Sequence, residues 1–376
     1  MMRVSRRRWL LTAASGVAAL SPRVAAATAL WPGAHSTSEQ RDRAIRRGLR
    51  FIEKIARTRR HFEKYGEDFL WLFYTMGTNT ADPWLKRAAL EIGRERARQW
   101  RHDNPRVPSD ADADTVAALV SGSYTADCLG VRDDTIKEPL VEAARRFSAV
   151  DFLRFDPATG VIPDNLRDTD DDDDSAESAS KGSGEAGRIM SRYEVLLDAL
   201  VTTYTGDHYG VRLGASLPEV AALVPRMRPY RVDEAANADF IDVSYAITHI
   251  VYVLNDYGRY RLRPEWLPQE YAFLKNNLRQ SIKDNDPETT GEFLDTLKSF
   301  GMTREEDPLI REGMAFVLSR QHADGSWGER DRKDPYTPYH STWTAINGLM
   351  DYAWAGEGVS FPEALAKVQG DAINRM

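Results

Sequence analysis

Gln321-His322-Ala323-Asp324-Gly325-Ser326-Trp327-Gly328, followed by Tyr339-His340-Ser341-Thr342-Trp343-Thr344-Ala345-Ile346, is the stretch that decides the fold. Ahead of it, Ile310 to Arg320 carries an apolar helical pattern that stops at Gln321. Asp324-Gly325 then makes a tight turn, because glycine takes up left-handed backbone without a steric penalty. The turn lets the Trp327 ring fold back onto the helix end. A charged loop from Glu329 to Asp334 and two prolines, Pro335 and Pro338, lead to a second helix starting at Tyr339-His340.

The same punctuation recurs upstream. A helix ends at an aromatic or apolar residue plus glycine, and a proline soon opens the next one. The junctions are Met76-Gly77 to Pro83, Leu129-Gly130 to Pro139, Tyr209-Gly210 to Pro218, Tyr257-Gly258 to Pro264 and Phe300-Gly301 to Pro308, with a weaker copy from Ala355-Gly356 to Pro362. Glycine stops a helix at its C-terminus and proline is tolerated in a first turn, so the period reads as stacked helical hairpins. Trp84 to Trp100, Pro139 to Phe152 and Pro308 to Arg320 are amphipathic, as outer helices require. Val195 to Tyr204 and Val243 to Leu254 are apolar nearly all round, as inner helices require, and Arg41 to Ile55 supplies the sixth outer helix.

The wording Q-x-x-D-G-S-W-G followed by Y-H-S-T-W resembles the repeat of the terpenoid-cyclase and protein-prenyltransferase superfamily. The resemblance implies an all-α (α/α)6 toroid of six inner and six outer helices, and it is specific over about residues 290 to 352. The family's catalytic prenyltransferase subunit carries D-x-C-Y and Y-H-T, which hold a zinc. Here Asp242-Val243-Ser244-Tyr245 and Tyr339-His340-Ser341 are similar, but Ser244 stands where the cysteine ligand would be. The run Asp168-Thr169-Asp170-Asp171 matches the D-x-D-D acid motif of class II terpene cyclases. It continues, however, into acidic and Ser/Gly-rich sequence, which also fits a calcium loop or a solvated insertion.

Residues 1–29 have the layout of a twin-arginine signal peptide: Ser5-Arg6-Arg7-Arg8-Trp9-Leu10, an apolar run to Leu20, and small residues from Ala25 to Ala29. The apolar run is too short to span a bilayer. The expected mature protein is therefore a single domain over residues 30–376, periplasmic or secreted, without stable membrane insertion, and with an acidic loop insertion at about 162–187. Removing the leader deletes five arginines and no acid, which takes the formal charge from −7 to −12. Residues 164–185 hold nine acids and two bases, so the body is close to balanced and no nucleic-acid partner is expected. The single Cys128 excludes an intrachain disulfide and any multi-cysteine metal site.

The repeat aligns the chain with itself. Sixteen residues before each junction glycine stand His61, Asp114, Glu194, Asp242, Asn285 and His340; nine before stand Asp68, Ser121, Val201, His249, Glu292 and Asn347. Seven residues are two helical turns, so the two sets form layers on one face of the inner helices. Asp114, Glu194 and Asn285 also suit helix starts with no chemistry involved, and a lone interior histidine is commonly a satisfied core residue.

Asp242, His249 and His340 are candidate ligands for one divalent metal, zinc or iron. Without metal, His249, Tyr245, His340, Tyr339 and Glu292 are candidates for acid–base work. Arg192, Glu194 and Asp114 are candidates for binding substrate, Arg192 by neutralising a carboxylate. Three functions follow: an exported enzyme with lyase- or hydrolase-type chemistry on an oligosaccharide or small molecule, a terpenoid-cyclase-like enzyme with an apolar substrate, or a non-catalytic binding protein.

Overall fold

A computed structural model describes residues 38–163, 166, 189–232, 239–330 and 334–370. Among these every regular element is helical, and the β pairings are three isolated bridges. Residues 1–29, where a signal peptide is expected, and the run at 168–174 lie outside the described residues. In chain order the helices are α1 (Ser38–Ala56), α2 (Arg59–Asn79), α3 (Pro83–Asp103), α4 (Ala113–Cys128), α5 (Lys137–Ala144), α6 (Ala149–Leu153), α7 (Arg192–Tyr209), α8 (Leu217–Ala221), α9 (Val224–Met227), α10 (Phe240–Asn255), α11 (Pro268–Lys283), α12 (Pro287–Ser299), α13 (Pro308–Ser319), α14 (Tyr336–Leu349) and α15 (Pro362–Gln369).

Aspartates start many of them. Asp82, Asp286 and Asp307 each precede a proline and accept a hydrogen bond from the N–H of the residue after it, which satisfies a donor that the first turn leaves orphaned. Helices α2, α4, α7, α10, α12 and α14 are largely buried, and each packs on the next in that order. Helix α14 meets α2 through side chains: the Tyr339 hydroxyl donates to Asp68 Oδ2 at 2.6 Å, and its ring lies 4.7 Å from Phe69. Against this set pack α3 on α2, α5 on α4, α8 on α7, α11 and α13 on α12, and α1 on α14.

The opening motif clamps three of these helices together. Trp327 is fully buried, its Nε1 donating to Val317 O of α13 at 2.7 Å and its backbone N–H to Thr342 Oγ1 of α14 at 3.0 Å. Gln321 Nε2 donates to Ala44 O of α1. Gly325, at φ 98°, lies against the Arg47 backbone, where a Cβ would sit 2.6 Å from the Arg47 oxygen. Truncating a tryptophan buried in this way costs roughly 3–5 kcal/mol.

The junction segments bond to one another. Ala81 N–H donates to Asp351 O, Asn79 Nδ2 to Tyr257 O, Arg261 N–H to Gly356 O, and Leu262 N–H to Ser299 O. Gly130, Gly210, Gly258, Gly301 and Gly356 all have positive φ. Gly77 differs: α2 runs on to Asn79, and what requires glycine is Leu90 of α3, whose Cγ would lie 2.7 Å from a Cβ.

Elements also depart from the expected bounds. The helix expected over Pro139 to Phe152 breaks in two, because Ser148 and Asp151 form a capping box that starts α6 afresh. The helix opened by Pro218 stops at Ala221, and Pro225 sits in the first turn of the separate α9. Helix α14 begins at Tyr336, one turn before Tyr339.

Candidate active site

Asp68, Ser121, Val201, His249, Glu292 and Asn347, one from each of α2, α4, α7, α10, α12 and α14, all line one cavity. From the layer seven residues earlier only Asp114 and His340 reach it. The cavity offers about 90 Å³ for the centres of water-sized groups. Room of that size for the centres of water-sized groups takes a ligand of several heavy atoms. Trp71, Tyr204, Tyr252, Tyr257 and Trp343 bring aromatic surface to its walls, and Tyr257 packs on Trp71 at 5.1 Å and Tyr204 at 5.1 Å.

Three lining side chains, on α10, α12 and α14, differ in proton state. His249 of α10 hydrogen-bonds through Nδ1 to Tyr245 O at 2.9 Å. A carbonyl only accepts, so Nδ1 carries the hydrogen and the neutral ring keeps its lone pair on Nε2. Burial drives the ring down to about 4, aided by the nearby His340 charge, and so holds it neutral. Burial pushes the Glu292 carboxyl of α12 up to about 8, against the opposing effects of His340 and of Thr248, whose hydroxyl donates to it at 2.6 Å. Burial also disfavours a charged His340 on α14, yet the adjoining Glu288 carboxylate lifts it to about 9. At neutral pH the wall therefore carries a protonated carboxyl, an unprotonated imidazole and an imidazolium.

Glu288 is the residue that sequence reasoning missed. It accepts from His340 Nδ1 at 2.7 Å, from the Tyr245 hydroxyl at 2.5 Å and from the Ser341 hydroxyl. Burial alone would raise it, but the His340 cation and these donors hold it below the usual glutamate range. It is free for this because Asp286 already caps α12. Asp198, one turn beyond Glu194 inside the apolar α7, and Asp295, three residues after Glu292, were legible as titratable groups within apolar helices. Arg154, which also lines the cavity, sits at φ 67° just past α6 and left no pattern in the sequence. At the far end of α14, the buried Lys298 ammonium bonds the carbonyls of Asn347, Gly348 and Met350, and burial lowers it to about 8.

The remaining expected residues lie elsewhere. Tyr245 and Tyr339 are buried behind the wall, on Glu288 and Asp68. Glu194 turns back to its own helix start, accepting from Ser191 N–H at 2.7 Å. Arg192 stacks over the Tyr193 ring, and Asn285, at φ 59°, shapes the turn before α12. Asp242 is buried in the first turn of α10 and is not among the residues that line the cavity. Asp242, His249 and His340 thus do not form one donor set, and among the described residues no group of three or more His, Cys, Asp or Glu side chains is placed to hold a metal ion. Nor is any described helix long and apolar enough to cross a membrane. Comparison with protein-family models, with characterised proteins and with solved structures finds no match to this chain.

Proposed function

We propose that this chain is an exported (α/α)6-toroid enzyme that cleaves a small polar substrate by acid–base chemistry, hydrolytic in type. The order in which the inner helices pack, with an outer helix against most of them, supports the toroid. The twin-arginine layout of residues 1–29 supports export to the periplasm or beyond. The observation that carries the chemistry is the pairing of Glu292 and His249 on one cavity wall. Environments that push two titratable groups apart in this way assign acid and base. His249 Nε2 takes a proton from water, whose oxygen attacks the substrate. Glu292 delivers its proton to the departing oxygen. His340, held by Glu288, offers an N–H to an oxygen that gains negative charge.

Elimination beside a uronic carboxylate is less well supported, since Arg192 is away from the cavity. The aromatic walls favour a second reading, a terpenoid-cyclase-like enzyme, but an apolar ligand would strip water from the lining carboxyls and offer them nothing polar in return. A screen of chromogenic glycosides and esters tests the proposal. Wild type should turn over a substrate that Glu292→Gln and His249→Ala do not, with all three folded. Equal rates in the three proteins, or turnover by none of them, would sink it and leave a binding protein as the better account.

A further inference from the structure

The charge and hydrogen-bonding character of the same cavity narrows the substrate. Six lining side chains are carboxylic: Glu67, Asp68, Asp114, Asp198, Glu292 and Asp295. Against them, among the described residues, stand one arginine, Arg154, and the two histidines. Even with Glu292 protonated, an acidic anion, whether uronate or diphosphate, would meet the like charge of the other five carboxyls. The polar atoms on the wall call instead for a partner that both donates and accepts. His249 presents a lone pair at Nε2, and Glu292 presents a carboxyl with a proton to donate. His340 is only 7% exposed and its Nδ1 is taken by Glu288, which leaves Nε2 as its polar atom for a ligand. Further along α14, Trp343 Nε1, a donor, has no hydrogen-bond partner among the described residues, and neither does Asn347 Oδ1, an acceptor. A hydroxyl group does both tasks, and a sugar ring adds an apolar C–H face suited to the Trp71, Tyr252 and Trp343 rings.

We propose that the cavity binds a saccharide free of acidic groups, with hydroxyls seated between the Trp343–Asn347 turn and the His249–Glu292–His340 wall. This rests on the acid–base reading of that wall and names its substrate class.

The test is calorimetric titration of the mature protein with xylotriose, cellotriose, glucosamine trimer, trigalacturonate and farnesol. At least one of the first three should bind about tenfold or more tighter than trigalacturonate, because like charge across an interface is strongly disfavoured. Trp343→Phe keeps an aromatic face but loses the N–H, and should weaken that sugar about fivefold while the protein stays folded. Preferred binding of trigalacturonate, binding of farnesol alone, or no binding of any probe overturns the inference. So does an unchanged affinity in Trp343→Phe. Glu292→Gln separates this claim from the one beneath it. Sugar binding that persists while turnover vanishes supports both. Glu292-dependent turnover of some other substrate, without sugar binding, sinks the saccharide alone. Sugar turnover undiminished in Glu292→Gln sinks the acid–base reading alone.

Discussion

Two layers of residues, seven positions apart along the same repeats, met different fates. All six in the later layer line the cavity, Asp68, Ser121, Val201, His249, Glu292 and Asn347, while only Asp114 and His340 of the earlier layer do. Helical phase does not separate them, because both share a face. What differs is height on the helix. His61, Asp114, Glu194 and Asp242 of the earlier layer fall in first turns and Asn285 just before one, where orphan N–H groups draw carboxylates and amides into capping, while His340 sits one turn further into α14. Glu194 shows the effect, closing a capping box with Ser191. Glu288 shows the converse, since a helix capped by Asp286 leaves its next glutamate to hold His340. A first-turn carboxylate is thus available for function where another group has already satisfied the helix end.

The strongest way to break this contrast is at Glu292. Glu292→Gln removes the only proton that the proposed acid can give, and the turnover rate should fall by about 10²–10⁴-fold with the fold intact. Steady-state kinetics beside circular dichroism measure it, and a fall of less than tenfold would count against Glu292 as the acid.

Next in size is Glu288→Gln, which leaves the buried His340 without its counter-charge. Breaking one side of a buried pair costs roughly 3–5 kcal/mol, so denaturant unfolding should show a loss of that order. Ring resonances of His340 should titrate well below about 9, its value beside the intact Glu288. The sign of the pH dependence follows. His340 is raised above its unfolded value, so its contribution to stability is full below about 6.5 and is lost as pH rises through about 9. Glu288→Gln should flatten that alkaline decline in melting temperature.

The pH–rate profile sharpens the contrast without any mutation. The rate should climb as pH rises through about 4, where His249 gives up its proton, and fall through about 8, where Glu292 loses its own. A single rising limb across that range would leave Glu292 without its assigned role. The smallest effect belongs to the earlier layer. Glu194→Ala removes half of a capping box and should cost about 0.5–2 kcal/mol in stability with turnover unchanged. A large loss of activity there would erase the distinction between the layers.

The all-helical class was legible in the glycine–proline punctuation and in the apolar phase of segments such as Val243 to Leu254, since both are local properties of the chain. The anchoring of Trp327 was legible for the same reason, a tight Asp-Gly turn within reach of the helix before it. So was the later layer, whose members share one spacing from the junction glycines. Tertiary structure alone decided which polar residues act together. Glu288 meets Tyr245 from forty-three residues away and His340 from fifty-two, and no local pattern encodes such a meeting. It likewise decided that Glu194 spends its carboxylate on its own helix while Glu288 does not. Proton states also belong to the folded protein, because burial neutralises Glu292 and His249 while a neighbouring carboxylate keeps His340 charged. Spacing along a chain sets which face a residue occupies, but the solvent it loses and the charges it gains depend on helices that the chain brings in from afar.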